Sequence, residues 1–457
     1  MRNLQATISA IALVFAMAVH TGCEQQEMSD IAEIHPTGTT HTIDMLLEGD
    51  RVDYDDVTTK AGATWQEGDK LFITFAVNNT TTPGKAVYQD GSWKLTYEGE
   101  LATGGNNTCQ VRYFTDVQSE TVGQITLDAT SGIYEDLSGQ YSINNNQLTV
   151  NASLRPKYGR VRLKGTAGSK CQLNGIATIG SYAPLNGTYT PGAKLINLTV
   201  GADGYTPYVY GTFADDTHAI GFIGKEDAYT RYFTEDILAA GKSGYMAFPT
   251  ADAHNNWRNG LYVTVDNVTF LMIGVAGHSG GYYLMAETEL TIGLYYRVKN
   301  NVSANQPEYP YNCSFADCID FITRLNLASG FSFSLPTYDQ WVYAAKGGAY
   351  SLGTTYAGSN GPANVAWYSA NADNGAKKVK QKMPNELGLY DMSGNYNEWT
   401  STLENESYAG SYRRAGGNFK DDPSGIEVDA FTYSETKNTG YVPEGAGMRL
   451  CLNVNLE

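Results

Sequence analysis

Residues Leu387 to Thr400 read LGLYDMSGNYNEWT, a stretch dense in aromatic, carboxamide and carboxylate groups. Gly394 permits a tight turn there. The carbonyls that follow it, with the Glu398 carboxylate, would converge several hard oxygen donors on one point, which is the ligand chemistry that calcium takes. The alternative is a loop whose Trp399 and Tyr390 plug a core. Gly277-His278-Ser279-Gly280-Gly281 has the spacing of a nucleophile elbow, but that device needs a strand turning sharply into a helix. The following GYYLMAETELTIG reads as more strand, so a glycine-rich hairpin tip is expected instead. His218, His254 and His278 stand far apart, none at helical or hairpin spacing from another, which argues against a zinc or iron centre. Asp215-Asp216 and Asp421-Asp422 lie in polar stretches and read as solvated turn residues, not as a general acid and base.

Elements that position such groups should be mostly strands. The chain of 457 residues has 33 Tyr, 49 Gly and only 17% charged residues, the balance of an aromatic, turn-rich β protein. Its formal charge is −17, from 31 Lys and Arg against 48 Asp and Glu, which excludes nucleic acid as a partner. At the N-terminus, Arg2 precedes an apolar run from Ile8 to Val19, too short to span a bilayer of about 30 Å. Residues 1–22 therefore read as a signal peptide. The run ends in His20-Thr21-Gly22-Cys23, which resembles a bacterial lipobox, although His20 stands where leucine is usual. The resemblance implies that Cys23 becomes a lipidated first residue and anchors the chain to an outer membrane, with 23–34 as its tether; plain secretion is the alternative. Glu24 to Glu27 are similar to the acidic surface-export signals of Bacteroidetes lipoproteins. The five remaining cysteines, Cys109, Cys171, Cys313, Cys318 and Cys451, are odd in number and widely spaced, so no disulfide framework and no single pairing is read from them. Cys313 and Cys318 are five apart without a nearby His, which is not the spacing of a zinc knuckle.

KLFITFAV (Lys70 to Val77), SWKLTYEG, QITLDAT and QLTVNASL alternate with period two between Asn, Gly, Asp and Pro turns, a β-sandwich pattern over 35–158. The basic turn RPKYGR separates it from a second set, GRVRLKG, LINLTVGA and YVYGTF, over 159–260. From Leu261 to the C-terminus the pattern changes. Two helices are predicted there. SFADCIDFITRLN places Phe315, Cys318, Ile319, Ile322 and Leu325 on one face behind a Ser314/Asp317 capping box, and TYDQWVYAAKGG begins at a Thr337/Gln340 box and stops at Gly347 and Gly348.

FSFSLPTYDQWVYAAKGG, NVAWY, PNELGLYDMSGNYNEW, RRAGGNF and GMRL, in that order, resemble the successive motifs of the formylglycine-generating enzyme, or sulfatase-modifying factor, family. The resemblance implies a C-type-lectin-like mixed α/β domain over 261–457. It would place calcium on Glu398 and the backbone of Ser393, Gly394 and Tyr396, with Asn364, Val365 and Asp373 at a second site. The family's oxidase activity is not implied. Its copper-binding cysteine pair falls between the Gly-Gly and Gly-x-Arg-Leu motifs, and this chain has no Cys between Gly417 and Gly447. No copper is expected. Ser334, Asn397 and Asn418-Phe419 are further departures.

DDVTTKAGATWQEGDK ahead of KLFITFAV resembles the start of Bacteroidetes fimbrillin-like proteins, which carry two β-sandwiches behind a lipobox. That implies export, trimming after a basic residue (Arg51 or Lys60) and assembly with other fimbrial subunits by strand donation. The resulting expectation is a mainly β, three-domain surface lipoprotein at a fimbrial tip, not an enzyme, whose C-terminal domain binds a glycan or a host or bacterial surface protein. Its ligand face is expected on the loops 350–372 and 404–445, through Trp367, Tyr368, Tyr408, Tyr412, Asn418 and Tyr433. A cell-anchored lipoprotein that never polymerises is the alternative.

Overall fold

A computed structural model describes residues 40–48, 51, 65–103, 107–121, 123–145, 147–249, 257–403, 411–435 and 442–456. The predicted lipidation position Cys23, the trimming position Lys60 and the ligand-face residue Tyr408 lie outside them. Among the described residues no helix is long and apolar enough to cross a membrane.

The architecture is mainly β, as the sequence led us to expect. The first ladder runs through Ile133–Asn144, Asn107–Phe114, Lys70–Val77, Thr80–Gln89, Ser92–Glu98, Thr40–Glu48 and Gln147–Asn151, and the last strand pairs back onto the first. The expected sandwich is thus closed into a barrel. Closure removes exposed edges, and the inward residues Leu71, Ile73, Phe75, Leu95, Val111, Leu148 and Val150 form one core. Thr40–Glu48 is the least rooted strand. It pairs antiparallel with Ser92–Glu98 and parallel with Gln147–Asn151, and Met45 is its one buried side chain.

The second unit is a two-sheet sandwich. Ile176–Ala177, Val209–Phe213, Gly159–Lys164 and Ser243–Ala247 face Ile196–Thr199, Lys170–Asn174, Ala219–Ile223, Ala228–Tyr232 and Trp257–Asn259. Val161, Leu163, Leu173, Val209 and Phe222 fill the space between them. The structure corrects the picture of two self-contained sandwiches, because a further sheet is shared. Ser119–Thr121 and Gln124–Thr126 of the first unit pair with Ile179–Ala183 and Thr188–Pro191 of the second. Beneath it Phe72, Phe114, Ile125, Ile179 and Tyr182 make a joint core, and the buried Arg112 bonds the Pro184 carbonyl at 2.7 Å and the Tyr182 hydroxyl at 3.2 Å.

The C-terminal unit has the sheet Leu261–Val265, Val268–Ala276, Tyr282–Ala286, Cys451–Asn453 and Phe333–Ser334, and a smaller one of Phe431–Glu435, Ser411–Ala415, Asn397–Leu403 and Ala446–Met448. Three helices of eight or more residues pack on it: α1 (Ile292–Asn300), α2 (Phe315–Ser329) and α3 (Tyr338–Ala345). Both predicted capping boxes form, Ser314 with Asp317 and Thr337 with Gln340. Helix α1 was not predicted, since IGLYYRVKN buries only Leu294 and Tyr295 and shows little periodicity. It alters α2. Phe321 stacks on Tyr295 at 5.8 Å and is fully buried, whereas Ile319, predicted on the core face, is 46% exposed on the flank that nothing covers. Ser279 lies in a short 3-10 turn between two strands, the expected hairpin tip.

A buried threonine, Thr230, sits at the junction of the sandwich and the C-terminal unit. Thr230 is fully buried; its hydroxyl donates to the Gly260 carbonyl and accepts from the Tyr262 amide at 2.9 Å, while Ile223 and Ala228 enter the core formed by Leu261, Val263 and Met272. Thr230→Val keeps the shape but strands both backbone groups, at a cost of about 1–3 kcal/mol. Calorimetry should then show the single endotherm of the parent split, with the C-terminal unit melting first.

Candidate functional site

The stretch from Leu387 to Thr400 is built around a buried ion pair. Asn397–Leu403 runs parallel to Ala446–Met448, with Glu398 opposite Gly447, so the Glu398 side chain meets Arg449 as the chain leaves the sheet. Both are fully buried. The Arg449 guanidinium approaches the two Glu398 oxygens at 2.6 to 3.1 Å through Nη2 and Nε, and donates to the carbonyls of Ala286 at 3.0 Å and Tyr390 at 2.8 Å. Trp341 of α3 adds its indole N–H to Glu398 at 2.5 Å. Two glycines let the loops close over this pair. Gly394 (φ 75°) passes so near Trp367 that a Cβ would sit 2.2 Å from its carbonyl oxygen, and Gly417 (φ 66°) has the same relation to the Gly425 carbonyl.

Two further acids share the pocket. Glu289, 2% exposed, accepts the Tyr396 amide and the Asn395 carboxamide, each at 2.8 Å. Burial, then the charges of Asp391 and Glu398, raise its pKa well above the usual carboxylate range. Asp391 accepts the Lys380 amide at 2.8 Å through one oxygen, and the other has no partner. Burial pushes its pKa up to about 6, against the pull of the Lys380 amide and Arg449. For Arg449, burial disfavours the charge, but Glu398 more than restores it and the pKa is raised.

This geometry corrects the calcium assignment at Glu398. Its oxygens are filled by Arg449 and Trp341, so a cation would have to displace a buried guanidinium. Ser393 is buried with its hydroxyl accepting the Ala357 amide, and the Tyr396 amide donates to Glu289; these bonds leave the backbone carbonyls that the calcium expectation invoked untouched. Nor do the other predicted ligands converge. Asp373 is 88% exposed at its side chain and pairs with Lys377 at 3.1 Å; Asn364 is exposed, with its carbonyl bonded to the Met383 amide; Val365 is buried in a small cluster with Tyr356, Ala366 and Ile426. The Glu398 carboxylate as folded is not free to ligate calcium.

The predicted ligand face is also redistributed. Tyr412 stacks on Phe315 at 3.9 Å against the core, and Tyr368 packs beside Val365. Asn418 closes a turn, its Oδ1 accepting the Lys420 amide. Trp367 is half-buried under Lys382, whose Nζ lies 4.0 Å from the ring centre. Tyr433 pairs its backbone with Arg413 in the smaller sheet. Among the described large apolar groups that face solvent, Tyr350 (71% exposed) and Leu352 (76%) lie on one of the predicted loops and Phe431 (46%) on the other; Met383 (63%) and Leu327 (80%) lie outside both. A Val428 to Thr355 backbone bond ties the loop bearing the first two to the segment leading to Phe431. An exposed aromatic next to a glycine-rich helix stop, as in GGAYSLG, was the signal for them in the sequence.

Arg51, predicted as a trimming point, is half-buried with its guanidinium 5.1 to 5.4 Å from the rings of Trp65, Tyr113 and Tyr134, and its backbone bridges to Leu154. All five cysteines beyond Cys23 are buried; Cys313 and Cys318 touch at 3.3 Å between sulfurs, and burial holds the Cys451 thiol up at about 12, far from the thiolate.

Arg449→Met leaves Glu398 buried and unpaired and should remove about 3–5 kcal/mol of stability in urea denaturation. The double variant with Glu398→Leu should lose less than the two single changes summed. Asp391 gives a pH signature of defined sign. Its folded pKa, about 6, exceeds the ordinary 3.8, so its stabilising contribution is complete below the lower value and is lost as pH rises through the higher. Asp391→Asn, which keeps an acceptor for the Lys380 amide, should flatten that decline between about pH 4 and 6 and melt above the parent at pH 7.

Comparison with known proteins agrees with the motif order. Residues 278–454 match the family model described as the sulfatase-modifying factor enzyme 1-like domain. A curated relative, the chaperone protein LppX of Paenibacillus barcinonensis, is 40% identical over 107 residues, 20% of this chain; the match spans 38% of that protein's length. Among solved structures, variable protein 1 of Treponema denticola is similar at 22% identity and a TM-score of 0.37, over 42% of this chain and 98% of that one. A fimbrial protein from Bacteroides ovatus is similar at 10% identity and 0.26, over 91% and 100%. The fimbrial anchor protein Mfa2 from Porphyromonas gingivalis is similar at 11% and 0.22, over 40% and 78%. The chain thus carries, from His278 to Val454, a region similar to the sulfatase-modifying factor enzyme 1-like domain.

Proposed function

We propose that the chain is a surface subunit of a fimbrial assembly, anchored at first through lipid on Cys23, which accepts a strand from a neighbouring subunit and presents its C-terminal domain to a glycan or protein ligand at the tip. The observation that carries this reading is the strand Thr40–Glu48. It lies between Ser92–Glu98 and Gln147–Asn151, contributes one buried side chain, and is followed by the stretch that contains Lys60. Trimming after Lys60 would release it and leave two unpaired strand edges flanking a groove over Leu95 and Leu148. Such a groove binds a donated strand by backbone pairing. The second sandwich has no free terminal strand to give in return, since Trp257–Asn259 runs directly into Leu261–Val265. Growth therefore stops on that side.

Binding instead of catalysis is favoured by the thiols. No Cys lies between Gly417 and Gly447, and Cys451 is buried and protonated, so no pair of thiolates is available for a soft metal. Tyr350, Leu352 and Phe431 offer rings and an apolar edge of the kind that stacks on sugar faces or fills a protein pocket.

Gold-labelled antibody against the region from Leu261 should mark one end of each fibre. Label along the shaft would refute the tip position, and label on the outer membrane without fibres would favour the permanently anchored form. On a glycan array, Tyr350→Ala should lose at least about tenfold in signal relative to the parent.

A further inference from the structure

Cys313 and Cys318 have no part in the proposed adhesin role, yet the fold brings these two thiols together. With Ser314 as the N-cap of α2, they stand just before the cap and four residues after it, where an apolar pair commonly packs across the first turn. Their sulfurs are 3.3 Å apart, and the residues are 1% and 0% exposed. Both backbones are pinned. The Cys313 amide donates to the Ala446 carbonyl at 2.8 Å, and its carbonyl accepts the Trp399 indole N–H at 2.9 Å. The Cys318 amide donates to the Ser314 carbonyl at 3.1 Å. The other described cysteines lie in separate cores: Cys109 in the barrel, Cys171 in the sandwich, and Cys451 among Tyr283, Met285 and Trp341.

We propose that in the exported chain Cys313 and Cys318 are oxidised to a disulfide that staples the start of α2 to the segment before it. The inference rests on the surface location read above, because export carries the thiols into a compartment where disulfides form and persist. Three arguments favour this pair. In the unfolded chain its separation of five residues lets it meet far more often than any other two of the cysteines beyond Cys23. In the folded unit the sulfurs already touch, and a bond of about 2.0 Å needs an approach of only about 1 Å, which rotation of the side chains supplies while the backbone stays pinned. Burial, then the hydrogen bond with Cys313, raises the Cys318 thiol well above its usual range, so the reactive thiolate belongs to the chain before this core closes. Closure afterwards shields the bond from reductants.

The step is exchange with a dithiol oxidase in its disulfide form. One cysteine thiolate attacks a sulfur of that disulfide and forms a mixed disulfide; the second then attacks the first cysteine's sulfur and expels the oxidase thiolate. The two cysteines lose two electrons and two protons, and the oxidase disulfide is reduced to two thiols.

The test takes the full mature chain from the cell surface, alkylates it in urea without reductant, and reads the tryptic peptide from Asn300 to Arg324, which holds both sulfurs. That peptide should be unalkylated and about 2 Da lighter than its dithiol form, and should gain two alkyl groups only after reduction. Cys109, Cys171 and Cys451 should be alkylated without reduction. A second arm needs no export. Purified reduced chain, refolded from urea with oxidised glutathione, should form the same bond and melt about 5 °C above chain refolded with reductant. Two alkyl groups on the peptide from surface chain would overturn the proposal and leave the pair as an apolar staple. So would a bond from either cysteine to Cys109, Cys171 or Cys451. A bonded peptide after refolding, with a reduced chain confined to the cell interior, would support the pairing and count against the surface location instead.

Discussion

The C-terminal unit depends on Arg449 and Glu398 being buried together. Taking two charges out of water is costly, and the attraction between them offsets that cost only if the remaining donors and acceptors are also met. Here they are. Trp341 brings helix α3 to Glu398, and the carbonyls of Ala286 and Tyr390 bring the central strand and the long loop to Arg449. One guanidinium therefore fixes a helix, both sheets and a loop in a region with little regular structure between Gly348 and Tyr396. A fold with this much loop needs such a point, because apolar burial alone does not specify where a loop goes.

The same pocket bears on the expected calcium site, because the one carboxylate that the expectation invoked, Glu398, already holds Arg449. Glu289, Asp391 and Glu398 share one cation, and the excess negative charge is relieved by raising the pKa of Glu289 and Asp391. A carboxylate that already holds an arginine is a poor ligand for a hard cation. What the motif preserves in this chain is a structural brace.

Rigidity extends through the rest of the molecule by a different route. The shared sheet and the Arg112 bonds weld the barrel to the sandwich, and Thr230 and the Ile223 and Ala228 side chains weld the sandwich to the C-terminal unit. Against that continuity, Thr40–Glu48 is the exception, a strand held by backbone pairing and one buried side chain.

Much was legible in the sequence because it depends on local chemistry. Period-two alternation marked the strands, the Ser314 and Thr337 capping boxes marked two helix starts, and the glycines of GHSGG and SGN marked turns that only a small residue can make. What the sequence did not reveal depends on which distant group a side chain meets. Glu398 read as a ligand until Arg449, 51 residues on, was found against it. Tyr412 read as a surface ring until Phe315 covered it, and Ile319 read as core until α1 brought Tyr295 to the other flank of its helix. Closure of the barrel and the sheet shared between units are likewise tertiary facts. Periodicity tells a residue which way to face, and only the packing of remote segments decides what stands opposite it.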